Sequence, residues 1–149
     1  MDQINNKPRR VAVIGASGYG GLQAIRLLKD HPFFQISYLG GKKTINKKWN
    51  QLCPFLPLED DPTIQPINIE QISSSCDLAI LSLPNGLSAE LTPKLLDSNI
   101  KVVDLSADFR YRSLSKWKEI YLMESSKPGR IDKEPVSYTH LTLPTICSV

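Results

Sequence analysis

The sequence predicts an α/β fold built on a doubly wound parallel sheet, and three observations lead to this prediction. Apolar runs suited to strands alternate with segments of helical periodicity over residues 9–105, which is typical of a parallel sheet. The first run, Val11–Ile14, is continuously apolar, which indicates a strand covered on both faces. A glycine-rich turn, Gly15–Gly21, then joins this run to the first helical segment.

The elements follow one another in regular order. Strands are predicted at 9–14, 33–39, 77–83 and 101–105, and helices at 19–30, 69–75, 87–98 and 114–121. Pro32 ends the first helix, since the residue before a proline is pushed out of helical geometry. Pro93 lies within the 87–98 helix and either starts a second segment or kinks it. Residues 46–66 are proline-rich and are expected to cross the sheet edge as an ordered connection.

The glycine turn has a spacing with a physical meaning. Glycines at 15, 18 and 21 form a G-x-x-G-x-x-G variant of the dinucleotide-binding fingerprint. We expect Gly15 to turn the chain, Gly18 to let a pyrophosphate approach the backbone, and Gly21 to let helix and strand pack closely. The free amides of the first helical turn then favour an anion. The alternative is a glycine-rich surface turn without a ligand.

The end of the second strand bears on the choice of dinucleotide. Domains that bind NAD usually carry an acidic residue there, which binds the ribose 2′-hydroxyl. Here Gly40 and Gly41 are followed by Lys42, Lys43 and Thr44. Cations would attract a 2′-phosphate, so the sequence favours NADP over NAD. The alternative is a solvated lysine loop that is neutral about the cofactor.

Two further turns are predicted at the carboxyl edge of the sheet, where open parallel sheets bind their ligands. Pro84-Asn85-Gly86 follows the third strand, and residues 106–111 follow the fourth. Arg110 in the second turn either binds a carboxylate or phosphate bidentately or is a surface arginine paired with Asp108.

Composition restricts the classes of partner. The 149 residues suffice for one domain with a core, and a net charge of +3 with scattered bases argues against nucleic acid. No apolar run approaches the roughly 20 residues of a membrane span. Cysteines 53, 76 and 147 form no C-x-x-C pair, so we expect no metal site, free thiols and a cytoplasmic location. Cys53 and Cys76 are interpreted as packed side chains rather than nucleophiles.

Three motifs together carry a family resemblance. Gly15–Gly21, Leu83–Gly86 and Val103–Tyr111 (VDLSADFRY) resemble, in order and spacing, the amino-terminal part of N-acetyl-γ-glutamyl-phosphate reductases of arginine biosynthesis. The resemblance implies a Rossmann-type NADP-binding domain over residues 1–105 and the start of a second, substrate and dimerisation domain over 106–135. The doubly wound domain would then be followed by a substrate domain that is truncated before it is complete.

The resemblance also implies a reaction. Members reduce an acyl phosphate, N-acetyl-glutamyl 5-phosphate, to N-acetyl-glutamate 5-semialdehyde with NADPH. A cysteine thiolate attacks the acyl phosphate and phosphate leaves, hydride from NADPH reduces the resulting thioester, and a histidine transfers protons. The resemblance also implies that the complete protein forms a homo-oligomer. Two alternatives are an enzyme resembling aspartate-semialdehyde dehydrogenase and a non-catalytic NADP-binding module.

Site residues carry over from the resemblance position by position. The expected pyrophosphate-binding residues are Gly15, Ser17, Gly18, Tyr19, Gly20 and Gly21. Lys42 is expected at the 2′-phosphate, Pro84 beside the nicotinamide, and Ser106 and Arg110 where cofactor meets substrate. Members often have histidine at the position of Asn85, so its role stays open.

The catalytic groups of the family have no match in the chain. The Gly-Cys-Tyr-Pro-Thr-like motif of the nucleophile is absent, and Cys147 and His140 lack the corresponding neighbours. No catalytic residue is therefore assigned, and the chain itself is expected to be inactive. Residues 136–149 are expected to be a non-native tail, because Val136–Thr145 reads as the translation of a sequencing-library adapter.

Overall fold

The described part of the chain, residues 7–109 of a computed structural model, contains four parallel strands and four helices. The strands are β1 (Arg9–Ile14), β2 (Phe34–Gly40), β3 (Leu78–Leu81) and β4 (Lys101–Asp104). The helices are α1 (Tyr19–Leu28), α2 (Trp49–Leu52), α3 (Ile69–Ser75) and α4 (Leu87–Asp97). Predictions for Arg110, the 114–121 helix, the rest of the 106–135 region and the 136–149 tail lie outside the described residues.

The sheet has the order β2-β1-β3-β4, and all of its pairs are parallel. Within the sheet, β2 lies next to β1 on one side, and β3 lies next to β1 on the other side. The strand order therefore reverses between β1 and β3, and their carboxyl ends flank the crevice in which open α/β sheets bind ligands.

Two hydrophobic cores cover opposite faces of the sheet, because successive side chains of a strand point to opposite sides. Val11 and Val13 of β1 enter a core with α1 and the 49–64 segment. Ala12 and Ile14 enter a second core with residues of α3 and α4. All four are fully buried, which confirms the doubly wound α/β prediction.

The 46–66 connection is ordered and lies along the outer edge of β2, as predicted. The Gln65 amide donates to the Leu39 carbonyl (2.8 Å), and the Gly41 amide donates to the Gln65 carbonyl (3.0 Å). Trp49 is fully buried, and its Nε1 donates to the Leu56 carbonyl (2.7 Å). The segment therefore supplies core as well as covering a strand edge.

Predicted and observed boundaries differ by a few residues. The third strand stops at Leu81 instead of residue 83, because its neighbour β1 ends at the paired Ile14 and then turns away. The first helix ends at Leu28, two residues before the predicted end. Pro93 lies inside α4, which continues through it as one helix.

Candidate functional site

The glycine turn between β1 and α1 packs tightly against the end of β3. Gly15 has a φ of +83°, and a Cβ at this position would lie 2.0 Å from the Ser82 carbonyl oxygen. A Cβ on Gly20 would lie 2.5 Å from the Ser82 hydroxyl, and one on Gly21 would lie 2.2 Å from the Gly15 carbonyl oxygen. The fold itself therefore requires glycine at positions 15 and 21, where the close atoms are backbone, whereas the atom beside Gly20 is a side-chain hydroxyl that can rotate.

Gly18 is different, because the fold does not explain its lack of a side chain. It has an ordinary φ of −82° at the N-cap of α1. A Cβ there would meet only the Gly15 carbonyl oxygen, at a normal contact distance of 3.4 Å. The backbone at Gly18 is thus open on its outer side, which is the property that a closely approaching ligand requires.

The start of α1 is suited to an anion. Its N-cap provides no side-chain hydrogen bond, and its first turn contains no acidic residue. The amides of that turn keep their donor capacity, and the helix dipole adds partial positive charge. Ser17 and Tyr19 flank this helix start and are both exposed, Tyr19 at 97%.

The lysine loop after β2 lies beside the glycine turn. The amides of Gly15 and Ala16 donate to the Gly40 carbonyl at 2.8 and 3.2 Å. The Thr44 hydroxyl donates to the Ser17 hydroxyl at 3.3 Å. The structure therefore joins the glycine turn to the loop that carries Lys42 and Lys43, both exposed.

The turns after β3 and β4 form a second, linked part of the carboxyl edge. Both Asp108 carboxylate oxygens accept from the Gly86 amide, at 2.7 and 2.8 Å. One of them also accepts from the Ala89 amide at 2.9 Å. The Asn85 Oδ1 accepts from the Ala107 amide at 3.2 Å. These contacts lock the two turns together.

Asp108 has a role that the sequence analysis did not predict. It is 2% exposed, and its carboxylate accepts from the amides at the start of α4. Little in the sequence indicated this contact, because Gly86 at the N-cap has no side chain and the capping carboxylate lies 22 residues away. The alternative that pairs Asp108 with Arg110 involves a residue outside the described range.

The remaining predicted residues occupy the same edge with different partners. Pro84 is exposed at the end of β3. The Ser106 hydroxyl donates to Asp104 (2.7 Å) and accepts from the Asp108 amide (3.1 Å). Both of these hydrogen bonds join residues within two positions of Ser106. Sequence reasoning missed Ser82, whose contacts become visible only when β1 and β3 are paired.

The two described cysteines are packed, as interpreted from the sequence. Cys53 is 5% and Cys76 is 2% exposed, and both are free thiols. Burial raises the pKa of each thiol, whereas a nucleophilic cysteine needs a lowered pKa. Within residues 7–109, no group of three or more His, Cys, Asp or Glu side chains is arranged to hold a metal ion.

The strand reversal, the uncapped helix start and the open Gly18 backbone together define a dinucleotide-binding domain of the doubly wound class. The chain matches the family described as "Semialdehyde dehydrogenase, NAD binding domain" over residues 10–144. It therefore belongs to this family of nicotinamide dinucleotide-binding domains.

Relatives and solved structures agree with this family. The chain is 64% identical over 133 residues to an N-acetyl-gamma-glutamyl-phosphate reductase of Prochlorococcus marinus, covering 89% of this chain and 37% of that protein. It is 51% identical to the protein of the same name from a Synechococcus species, with 93% and 39% covered. It thus spans little more than a third of these curated relatives.

The fold is also similar to a crystal structure of aspartate semialdehyde dehydrogenase with NADP from Candida albicans. The TM-score is 0.61 at 23% identity, covering 70% of this chain and 31% of the other.

No helix in residues 7–109 is both long and apolar enough to cross a membrane.

Proposed function

We propose that this chain is the cofactor-binding part of an NADPH-dependent reductase that converts N-acetyl-glutamyl 5-phosphate to N-acetyl-glutamate 5-semialdehyde. The relatives that share 64% and 51% identity carry the corresponding enzyme name. The observation that carries the binding role is the open Gly18 backbone at an uncapped helix start. Bound there, the dinucleotide would supply the hydride for reduction.

The residues of the chain have distinct roles in this proposal. The first-turn amides of α1, with Gly15, Ser17, Gly18, Tyr19, Gly20 and Gly21 around them, hold the pyrophosphate. The turns after β3 and β4, with Pro84 and Ser106, receive the nicotinamide half, because a dinucleotide lies across the strand reversal with one half on each side. Arg110, directly after the described residues, is proposed to bind the substrate.

NADP rather than NAD is proposed from the loop after β2. Lys42 and Lys43 are exposed in the same loop as Thr44, whose hydroxyl donates to the Ser17 hydroxyl. Ammonium groups and hydroxyls can all donate to a 2′-phosphate. The acidic residue that would bind a free ribose 2′-hydroxyl and repel this phosphate is missing between Gly40 and Thr44.

Fluorescence titration with NADPH and NADH tests the proposal. The 149-residue chain should bind NADPH more tightly, and K42A/K43A should weaken NADPH binding about tenfold, the effect of roughly 1.4 kcal/mol, while leaving NADH binding nearly unchanged. Lys101→Ala is the matched control, because this exposed lysine begins β4, which lies at the other end of the strand order from β2. Equal affinity for both dinucleotides would refute the preference for NADP.

The chain should bind cofactor without turning over. Neither thiol within residues 7–109 is exposed or has a lowered pKa, so the described part provides no cysteine nucleophile. We expect no phosphate-dependent reduction of NADP with the semialdehyde, and activity of the isolated chain would disprove this. The free thiols support a reducing, cytoplasmic compartment, and the complete protein is proposed to be a homo-oligomer.

An enzyme acting on aspartate semialdehyde is the second candidate. The similarity to solved aspartate semialdehyde dehydrogenases, at 23% identity, concerns the fold alone. The motif Leu105–Arg110 and the 64% identical relative favour the acetylated glutamyl substrate. A non-catalytic module is the third candidate, and a Gly-Cys-Tyr-Pro-like motif in the genomic reading frame beyond residue 135 would exclude it.

A further inference from the structure

We propose that Asp108 is a positioning residue that holds the β3–α4 turn in the shape needed by the nicotinamide half of the dinucleotide. This inference rests on the proposed cofactor function and adds a specific role for a buried carboxylate. Asp108 belongs to the turn after β4, yet its acceptor oxygens serve the turn after β3. It therefore acts through its neighbours and needs no contact with the cofactor.

The β3–α4 turn has a backbone hydrogen bond of its own, from the Leu87 amide to the Pro84 carbonyl (3.3 Å), but the start of α4 has no side-chain cap from within the turn. Gly86 has a φ of +93° and forms the N-cap of α4 without a side chain to accept from the helix amides. Ser88, two residues later, is fully buried, but its hydroxyl has no hydrogen-bond partner in the described part of the chain. The start of α4 therefore depends on an acceptor from elsewhere.

Asp108 provides this acceptor from a buried position. Its two oxygens take three contacts of 2.7–2.9 Å from the Gly86 and Ala89 amides. A carboxylate that is 2% exposed is costly to bury unless donors satisfy it. Here the amides and the positive end of the α4 dipole stabilise the charge, so both the turn and the carboxylate depend on this contact.

Asp108 is itself held in place. Its amide donates to the Ser106 hydroxyl (3.1 Å), which in turn donates to Asp104 (2.7 Å) at the end of β4. Asn85 adds a second tie, since its Oδ1 accepts from the Ala107 amide. The β3–α4 turn is thus tied to β4 by hydrogen bonds, while the glycine turn and the lysine loop are hydrogen-bonded to each other and to β2. The glycine turn also packs against Ser82, but among the described residues it shares no hydrogen bond with Asp108. The two halves of the proposed site therefore have separate hydrogen-bond supports.

Separate supports predict a selective defect. Asp108→Asn keeps the size of the side chain but replaces one accepting oxygen with an NH₂ group that faces amide donors. We expect NADPH to bind about tenfold more weakly, because binding must then restore the shape of a turn that has lost a hydrogen bond to a charged group. Adenosine 2′,5′-bisphosphate, which lacks the nicotinamide half, should change less than about twofold. Both affinities are measured by calorimetric titration of the 149-residue chain.

Asp77→Asn is the matched control. Asp77 also joins two elements, through Arg10 of β1, but it lies just before β3 at the amino edge of the sheet. This variant should leave both affinities unchanged. Equal weakening of both ligands by Asp108→Asn would indicate general destabilisation and overturn the inference, as would no effect on either. Failure of the unmodified chain to bind NADPH would instead refute the proposed function, and the inference with it.

A second measurement does not depend on any ligand. Amide hydrogen exchange of Gly86 and Ala89 should speed up in Asp108→Asn while that of Gly18 and Leu22 stays unchanged. Uniform acceleration through all four amides would show a global loss of stability and contradict a local positioning role.

Discussion

Gly18 and Gly21 lie three residues apart in one turn, and their lack of side chains has different causes. At Gly21 the reason lies inside the protein, because a Cβ would come within 2.2 Å of the Gly15 carbonyl oxygen. At Gly18 the nearest such contact is 3.4 Å away, so the folded chain has room for a methyl group. The fingerprint therefore combines a folding requirement with a ligand-binding requirement.

This difference predicts that two alanine substitutions will affect different properties, one the affinity for NADPH and the other the stability of the fold. Gly18→Ala should weaken NADPH binding at least about tenfold, because the methyl group would occupy the space of the pyrophosphate, and should change the unfolding free energy by less than about 1 kcal/mol. Gly21→Ala should cost roughly 1–3 kcal/mol of stability through overpacking. Urea denaturation and fluorescence titration measure the two effects. Normal NADPH binding by Gly18→Ala would remove the assignment of the turn.

At the scale of elements, the two edges of the sheet have different chemistry. The carboxyl edge carries glycines, hydroxyls and exposed lysines, and its loops are joined by hydrogen bonds between backbone groups, hydroxyls and the Asp108 carboxylate. The amino edge is tied by the Arg10–Asp77 ion pair, at 3.0 Å, which joins β1 to the start of β3. The amino edge thus supports the pairing of the strands whose opposite ends form the candidate site.

The ion pair predicts a dependence of stability on acid. Hydrogen bonds from Arg10 lower the pKa of Asp77, so its contribution is present above the ordinary value of about 3.9 and is lost as the pH falls through the lower folded pKa. Both partners are about a third exposed, so solvent screening should keep the effect small. Thermal melts of the chain and of Asp77→Asn between pH 7 and pH 2 should converge at the acid end. A constant difference across this range would contradict the assignment.

At the scale of the whole molecule, the described sheet has an apolar edge. Among the described strands, β4 pairs only with β3, and Val103 and Leu105 on this strand and just after it are 44% and 48% exposed. An edge strand with exposed apolar side chains is a template for pairing with another chain. We therefore expect the isolated chain to self-associate.

A charge on this edge should reduce the association. Val103→Lys places an ammonium group on the edge strand, a common protection of natural sheet edges, and should raise the monomer fraction in light scattering after size-exclusion chromatography. Leu27→Lys is the control, because Leu27 is 72% exposed but lies on α1. An equal gain from both variants would attribute the association to general surface hydrophobicity rather than to the edge.

Much of the fold was predictable because local patterns carried it. Continuous apolar runs such as Val11–Ile14 predicted buried parallel strands, and the structure confirms them. The boundary error at β3 occurred where a neighbouring element decides the end. β3 stops with its partner β1, and no local signal marks that position.

The sequence by itself determined the chemistry that is available, with glycines at 15, 18 and 21, lysines after β2 and cysteines without reactive neighbours, because residue types and spacing are local properties. Only the tertiary structure decided which of these groups act together. Strand pairing placed Ser82 against the glycine turn, and the Asp108 carboxylate reached the start of α4 across 22 residues of sequence. Contacts over such separations depend on the packing of whole elements, which no short pattern records.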